Sequence, residues 1–127
     1  MPTVLFVCTG NAARSQMAEG LLKNIKSDIT VLSAGTKPEG LHKNAVKVMQ
    51  EMGLDISNQT SKSLDGIRWK EANFTITLCG SADKICARMD WPEYCQLEHW
   101  PIDDPITLDD FRKARDEIRE RITAHFV

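Results

Sequence analysis

The 127-residue chain is 42% hydrophobic and 27% charged, with sixteen basic and eighteen acidic side chains and a formal net charge of −2. That size suits one domain spanning residues 1–127, and the balanced charge argues against a nucleic-acid coat or a polybasic membrane binder, which need a basic excess. No apolar run nears the roughly 18 residues of a membrane span, and no charged leader precedes the apolar start at Thr3, so a soluble, cytoplasmic protein is expected.

Thr3 to Val7 is a continuous apolar run, β-branched and aromatic, which suits a strand buried on both faces. The segment Cys8-Thr9-Gly10-Asn11-Ala12-Ala13-Arg14-Ser15 reads as a loop, because Gly10 and Asn11 tolerate left-handed backbone angles. From Ser15, a suitable helix N-terminal residue, the pattern turns helical, with Met17, Ala18, Leu21, Leu22 and Ile25 on one stripe. Ile29 to Ser33 is a second strand. A second helix places Leu41, Ala45, Val48, Met49 and Met52 on one face and stops at Gly53. Asp55 to Asp65 is irregular, and Ile67 to Ala72 has room for a short helix.

Phe74 to Cys79 is a third strand, again ending in cysteine. Gly80 to Tyr94 has no convincing period and reads as a loop with one helical turn at most. Gln96 to Trp100 is a short fourth strand, and two prolines bracket the loop Pro101-Ile102-Asp103-Asp104-Pro105. The last helix starts at Thr107, which with Asp110 makes a capping box, and Glu117 and Arg121 form an i,i+4 pair on its solvent side. The alternation predicts an α/β fold: a four-stranded parallel sheet flanked by helices, with strand order 2-1-3-4.

Ligands of such sheets bind beyond the carboxyl ends of the strands, where Cys8 and Cys79 both fall. A tight loop entering a helix N-terminus offers unpaired N–H groups and a positive field, which bind an oxyanion and favour thiolate at Cys8. The cradle comprises Thr9, Gly10, Asn11, Ala12, Ala13 and Arg14, whose planar guanidinium grips two oxygens at once. The Ser15 hydroxyl donates to the sulfur. A departing oxygen needs a proton, and the Pro101–Pro105 loop supplies two aspartates. Asp104, before Pro105, is assigned to the turn, which leaves Asp103 as the expected acid.

The run from Cys8 to Gly20 resembles the signature of the low-molecular-weight tyrosine phosphatase superfamily. Gln16-Met17-Ala18-Glu19 resembles its thioredoxin-coupled arsenate reductase branch more closely, as do Ser33-Ala34-Gly35, Asp55-Ile56-Ser57, Thr77-Leu78-Cys79 with Cys86, and Glu98-His99-Trp100 leading to Asp103-Asp104-Pro105. The resemblance implies a relay. Cys8 attacks arsenate held by the loop and Arg14, Cys79 attacks Cys8 as arsenite leaves, and Cys86 attacks Cys79 to give a disulfide that thioredoxin reduces. It implies no bound cofactor, with thioredoxin as external reductant and partner, and a monomer that binds neither nucleic acid nor membrane. If residues 79–86 were helical, the two thiols would lie about 10 Å apart along the axis. A disulfide needs Cα atoms about 4.4–6.8 Å apart, so such a helix would have to unwind.

Some relatives so resembled bind potassium near Asn11 and Glu19. Here Lys62 falls at the position of a further acidic ligand, so its ammonium is expected to stand in for the ion and no metal is expected. Ala13 departs from the pattern without blocking the relay, Ala87 stands where relatives often have proline and is expected to change the stiffness of that loop, and Cys95 matches no motif residue. The main alternative is a phosphatase acting on phosphotyrosine or another phosphoester through Cys8, Arg14 and Asp103, since phosphate and arsenate share shape and charge. A zinc site formed by Cys79, Cys86, Cys95 and His99 has longer spacings than paired zinc ligands usually show. A non-catalytic oxyanion sensor is the third alternative. His42 and His125 are expected at the surface without a role.

Overall fold

The computed structural model describes residues 2–127. Four strands, β1 (Thr3–Cys8), β2 (Thr30–Gly35), β3 (Phe74–Thr77) and β4 (Gln96–His99), pair in parallel in the order β2-β1-β3-β4, as expected from the sequence. The central place of β1 explains its uninterrupted apolar run. Val4, Phe6 and Cys8 point into one layer while Leu5 and Val7 point into the other, so both faces are buried.

Helices α1 (Arg14–Ile25), α2 (Lys43–Gln50) and α4 (Leu108–Phe126) cover the first face. Their apolar stripes meet there: Met17, Leu21 and Leu22 from α1, Val48 and Met49 from α2, and Phe111, Ile118 and Ile122 from α4. The second face is covered more thinly by α3 (Gly80–Cys86), with Leu64 and Ala72, and only Ala82 and Cys86 of this helix are buried.

Local signals explain most of the boundaries. The capping box forms at the start of α4, where Thr107 Oγ1 accepts from the Asp110 N–H and the Asp110 carboxylate accepts from the Thr107 N–H. After α2 the chain passes through a turn to Gly53, whose φ of +77° is the left-handed conformation expected there.

Four expectations are corrected. Residues 80–86 are a helix rather than a loop with one turn. The sequence hides it because two buried residues do not make a periodic stripe. The third strand ends at Thr77, two residues before Cys79, which instead precedes α3 as its N-terminal cap residue. Ser15 lies inside α1, and its hydroxyl is engaged elsewhere, so the cap position falls to Ala13. Among the described residues, Glu117 and Arg121 form no ion pair; α4 pairs through Arg112 and Arg115 with Glu51, just past α2. No helix among the described residues is long and apolar enough to cross a membrane.

Candidate active site

Cys8 closes β1 and the next five residues turn back into α1, so the loop lies over the carboxyl end of the sheet. Its carbonyls are tied outward. Thr9 O accepts from the Lys37 N–H at 2.8 Å, Gly10 O from Glu39 at 2.9 Å and Ala12 O from His42 at 2.9 Å. A trans peptide points its N–H opposite its carbonyl, so anchoring the carbonyls leaves the N–H groups free for an oxyanion. Gly35 at the end of β2 makes this packing possible. A side chain there would come within 2.6 Å of Thr9 O and 2.9 Å of Asn11 N.

Asn11 holds the loop in shape. It is fully buried at φ +45°, in the left-handed region that asparagine tolerates better than most residues. Its Oδ1 accepts from the Lys62 N–H at 2.8 Å and from Gln16 Nε2 at 3.1 Å, which fixes the amide's orientation. Its Nδ2 therefore donates to Ser15 Oγ at 2.7 Å and to Ser33 Oγ at 3.0 Å. Having accepted that bond, Ser15 keeps its own proton for Cys8 Sγ, 2.9 Å away. Ser33 in turn donates to Glu19 Oε1 at 2.5 Å. Donation thus diverges from the Asn11 amide, through Ser15 to the Cys8 sulfur and through Ser33 to the buried Glu19 carboxylate.

Glu19 is compensated by two ammonium groups, Lys23 Nζ at 2.5 Å and Lys62 Nζ at 3.6 Å. Lys62 stands where the sequence comparison expected it, and Lys23 joins it one helical turn along α1. The oxygens of Asn11, Ser33 and Glu19 already have hydrogen-bond or ammonium partners, so this donor set does not suit a further cation.

A cavity of about 460 Å³ opens above Cys8, lined by the loop with Arg14, Glu39, His42, Asp104, Pro105 and Phe111. Arg14 forms part of its wall. Its Nη1 donates to Ile102 O at 2.8 Å, and its Nη2 lies 3.5 Å from Asp104 Oδ1. The expectation that Asp103 faces this cavity is corrected. Ile102 is buried and its carbonyl is bonded by Arg14, which fixes the loop so that Asp104 lines the Cys8 cavity. Both aspartates are exposed and both line the neighbouring cavity with Asp110, Lys113 and Glu117, but Asp103 does not reach the Cys8 cavity. His42, given no role from sequence, caps α2 and stacks on Phe111 at the cavity wall.

Cys79 sits at the start of α3, half-buried, and packs against the clusters on both faces of the sheet. Thr9 Oγ1 lies 3.2 Å from its sulfur and 2.8 Å from Ser81 Oγ, tying it to the Cys8 loop. Burial pushes the Cys79 thiol up, but hydrogen bonds from Thr9, the Ala82 N–H and Ser81, with the nearby Arg14 charge, outweigh it. The net effect holds the thiol below its ordinary value of 9.0.

Cys86 ends α3 and is buried on the opposite face from Cys8. Burial, with lesser contributions from the charges of Asp83, Cys79 and Cys95, pushes its thiol up to about 12. All four cysteines are free. Cys79, Cys86, Cys95 and His99 do not form a metal-binding group, nor does any other set of His, Cys, Asp and Glu among the described residues.

Sequence reasoning missed the link from Thr9 to Cys79, the Ser33–Glu19 extension, and the wall residues Glu39, His42 and Phe111. Only the buried polar run Ser15, Gln16 and Glu19 inside a helix could have hinted at an internal network. The other contacts join residues far apart in the chain.

Comparison with known proteins agrees with this geometry. The family described as low molecular weight phosphotyrosine protein phosphatase matches residues 3–126. The arsenate reductase of Staphylococcus aureus (strain Newman) is 43% identical over 120 residues, covering 92% of this chain and 90% of the relative. That of Bacillus licheniformis is 44% identical over 129 residues, covering 94% and 91%. A solved structure described as an arsenate reductase in the phosphate binding state superposes with a TM-score of 0.82 at 34% identity, covering 98% of this chain and 95% of the other.

Proposed function

From the premise that this chain belongs to the low molecular weight phosphotyrosine protein phosphatase family, we propose that it is a cytoplasmic arsenate reductase whose electrons pass from Cys8 through Cys79 to Cys86. The observation that carries this reading is the position of Cys79. It is bonded to the Cys8 loop through Thr9, touches both layers of the core, and heads a helix that ends in a third thiol. Hydrolysis of a phosphoester requires only Cys8, Arg14 and an acid, and leaves Cys79 and Cys86 without work.

Arsenate enters the cradle of Thr9, Gly10, Asn11, Ala12, Ala13 and Arg14. The Cys8 sulfur, with Ser15 donating to it, bonds to arsenic as an oxygen departs as water. Asp104 supplies the proton, because it is the aspartate beside Arg14 in the cavity wall. Cys79 Sγ then attacks Cys8 Sγ. A sulfur–sulfur bond forms, the sulfur–arsenic bond breaks, and its electron pair stays on arsenic, which leaves as arsenite. Cys86 next attacks Cys79, releasing Cys8 and leaving a Cys79–Cys86 disulfide, which thioredoxin reduces with two electrons. No metal is required, since Lys23 and Lys62 compensate Glu19, and the working unit is a single monomeric domain.

The test is to treat reduced protein with arsenate and map its disulfides by mass spectrometry. A Cys79–Cys86 bond, with Cys8–Cys79 trapped in a Cys86→Ser variant, is the expected result. If every thiol stayed free while a phosphoester was hydrolysed briskly, the phosphatase reading would replace this one. Slow phosphoester hydrolysis is expected as a side activity, because the cradle meets both anions alike.

A further inference from the structure

Helix α3 should not persist on its own account. Seven residues are far below the length at which an isolated helix is stable, and only Ala82 and Cys86 are buried, with Ile85 exposed. Side-chain ties hold it instead. Ser81 Oγ meets Thr9 Oγ1 at 2.8 Å, and Trp91 Nε1 donates to Cys86 O at 2.7 Å at the far end.

The third tie goes to the sheet. Thr77, buried at the end of β3, donates its hydroxyl proton to Asp83 Oδ1 at 3.0 Å. The same hydroxyl lies 3.3 Å from Glu98 O and 2.9 Å from His99 Nδ1; the closer, charged Asp83 oxygen is the better acceptor for its single proton, which leaves the ring nitrogen to donate, shared between the hydroxyl and Thr77 O at 3.2 Å. Thr77 and His99 are register partners on β3 and β4, so two strands together present the group that grips the helix.

This tie bears on the relay. The first turn of α3 is closed by the Asp83 N–H donating to Cys79 O at 3.0 Å. When Cys79 swings toward Cys8 to form the first disulfide, that bond is pulled, and the Asp83 carboxylate on Thr77 still holds the turn. While α3 stays wound, Cys86 is about 10 Å along the axis from Cys79 and cannot reach it.

Resting on the relay reading, we propose that Asp83, Thr77 and His99 are positioning residues that latch the redox helix to the sheet, and that release of this latch limits the transfer from Cys79 to Cys86. In that step the Cys86 sulfur bonds to Cys79, the Cys8–Cys79 bond breaks, and Cys8 leaves as thiolate. The latch thus delays the second exchange without touching the first.

Three variants separate the latch from a charge effect. Thr77→Val keeps shape and the Asp83 charge but removes the hydroxyl. Asp83→Asn keeps an acceptor but removes the charge, and Asp83→Ala removes both. In reduced protein without arsenate, hydrogen exchange of the amides of residues 80–87 should quicken about tenfold in Thr77→Val and Asp83→Ala, the scale of one bond to a charged group.

Rapid-quench mapping after arsenate addition should show the Cys79–Cys86 disulfide forming faster by a similar factor in these two variants, while Cys8–Cys79 forms at the wild-type rate. A thiol-specific azo oxidant, itself reduced to the hydrazine, should likewise form Cys79–Cys86 faster in both. That arm and the exchange measurement do not depend on arsenate, so they test the latch even if the reductase reading fails. Unchanged protection in Thr77→Val would overturn the proposal. So would acceleration confined to Asp83→Asn and Asp83→Ala, which would mean that the carboxylate acts only as a charge near Cys86.

Discussion

Around Cys8, polar groups interlock. Asn11, Ser15, Ser33 and Glu19 are all buried, and each has partners that fix its direction. Around Cys86, on the other face of the same sheet, a seven-residue helix is held by three side-chain ties and buries two of its residues. The first region has its polar groups already fixed in place by one another, the condition under which electrostatic stabilisation of an incoming anion is most effective. In the proposed relay the second carries a thiol that has to travel, and low local stability is what permits local opening. An enzyme that only hydrolysed esters would need the first region alone.

The comparison is broken most severely at its rigid end. Replacing Cys8 with Ser should abolish turnover of arsenate and of a chromogenic phosphoester together, because both begin at that sulfur. The fold should survive, since a hydroxyl fits beside Ser15. Parallel assays of arsenite release and ester hydrolysis read this directly, and residual turnover of arsenate alone would place the first attack elsewhere.

Substitutions around α3 should split the two activities. Cys79→Ser and Cys86→Ser should each stop multiple-turnover arsenate reduction with thioredoxin supplied, while phosphoester hydrolysis stays within about twofold of wild type, because neither thiol lines the anion cavity. Arsenate reduction at the wild-type rate in either variant would remove that thiol from the relay.

The aspartate pair sharpens the boundary of the rigid region. Asp104→Asn should lower both activities roughly 10²-fold, the usual contribution of a general acid, whereas Asp103→Asn should change them less than twofold. The reverse pattern would restore the assignment suggested by the chain alone.

That reversal shows where the sequence stops being informative. The sheet order and the placement of Cys8, Arg14 and Ser15 around one strand-to-helix loop are legible because their determinants are local: an apolar strand, a loop with Gly10 and Asn11, then a helical stripe. Choosing between Asp103 and Asp104 is not a local matter. It depends on Ile102 burying itself and on Arg14 reaching across to its carbonyl, a contact between residues 88 positions apart. For Ser15 the chain suggests both a cap and a donor to the sulfur, and only the second holds, because its hydroxyl is taken up by Asn11 and by Cys8 at the end of β1. Helix α3 is illegible because what holds it, the Thr9, Thr77 and Trp91 bonds, leaves no periodic trace.

The smallest expected effect is in the pH dependence of stability, where the two relay thiols pull in opposite directions. The folded protein keeps the Cys86 proton to about 12, whereas the unfolded chain releases it near 9.0. Stability from the neutral, buried thiol is therefore complete below about 9 and is lost as pH rises from there toward 12. Cys79 is held below its ordinary value, so the stability from its thiolate is present above 9.0 and is lost as pH falls through the folded value. Denaturant melts of the reduced protein at alkaline pH should show wild type weakening between pH 9 and pH 12. Cys86→Ala, which loses some packing at every pH, should weaken less steeply across that range, and Cys79→Ala more steeply near its lower edge. Equal slopes in all three proteins would mean that neither thiol's environment differs between the folded and unfolded chain, and the contrast between a poised Cys79 and a shielded Cys86 would fall with it.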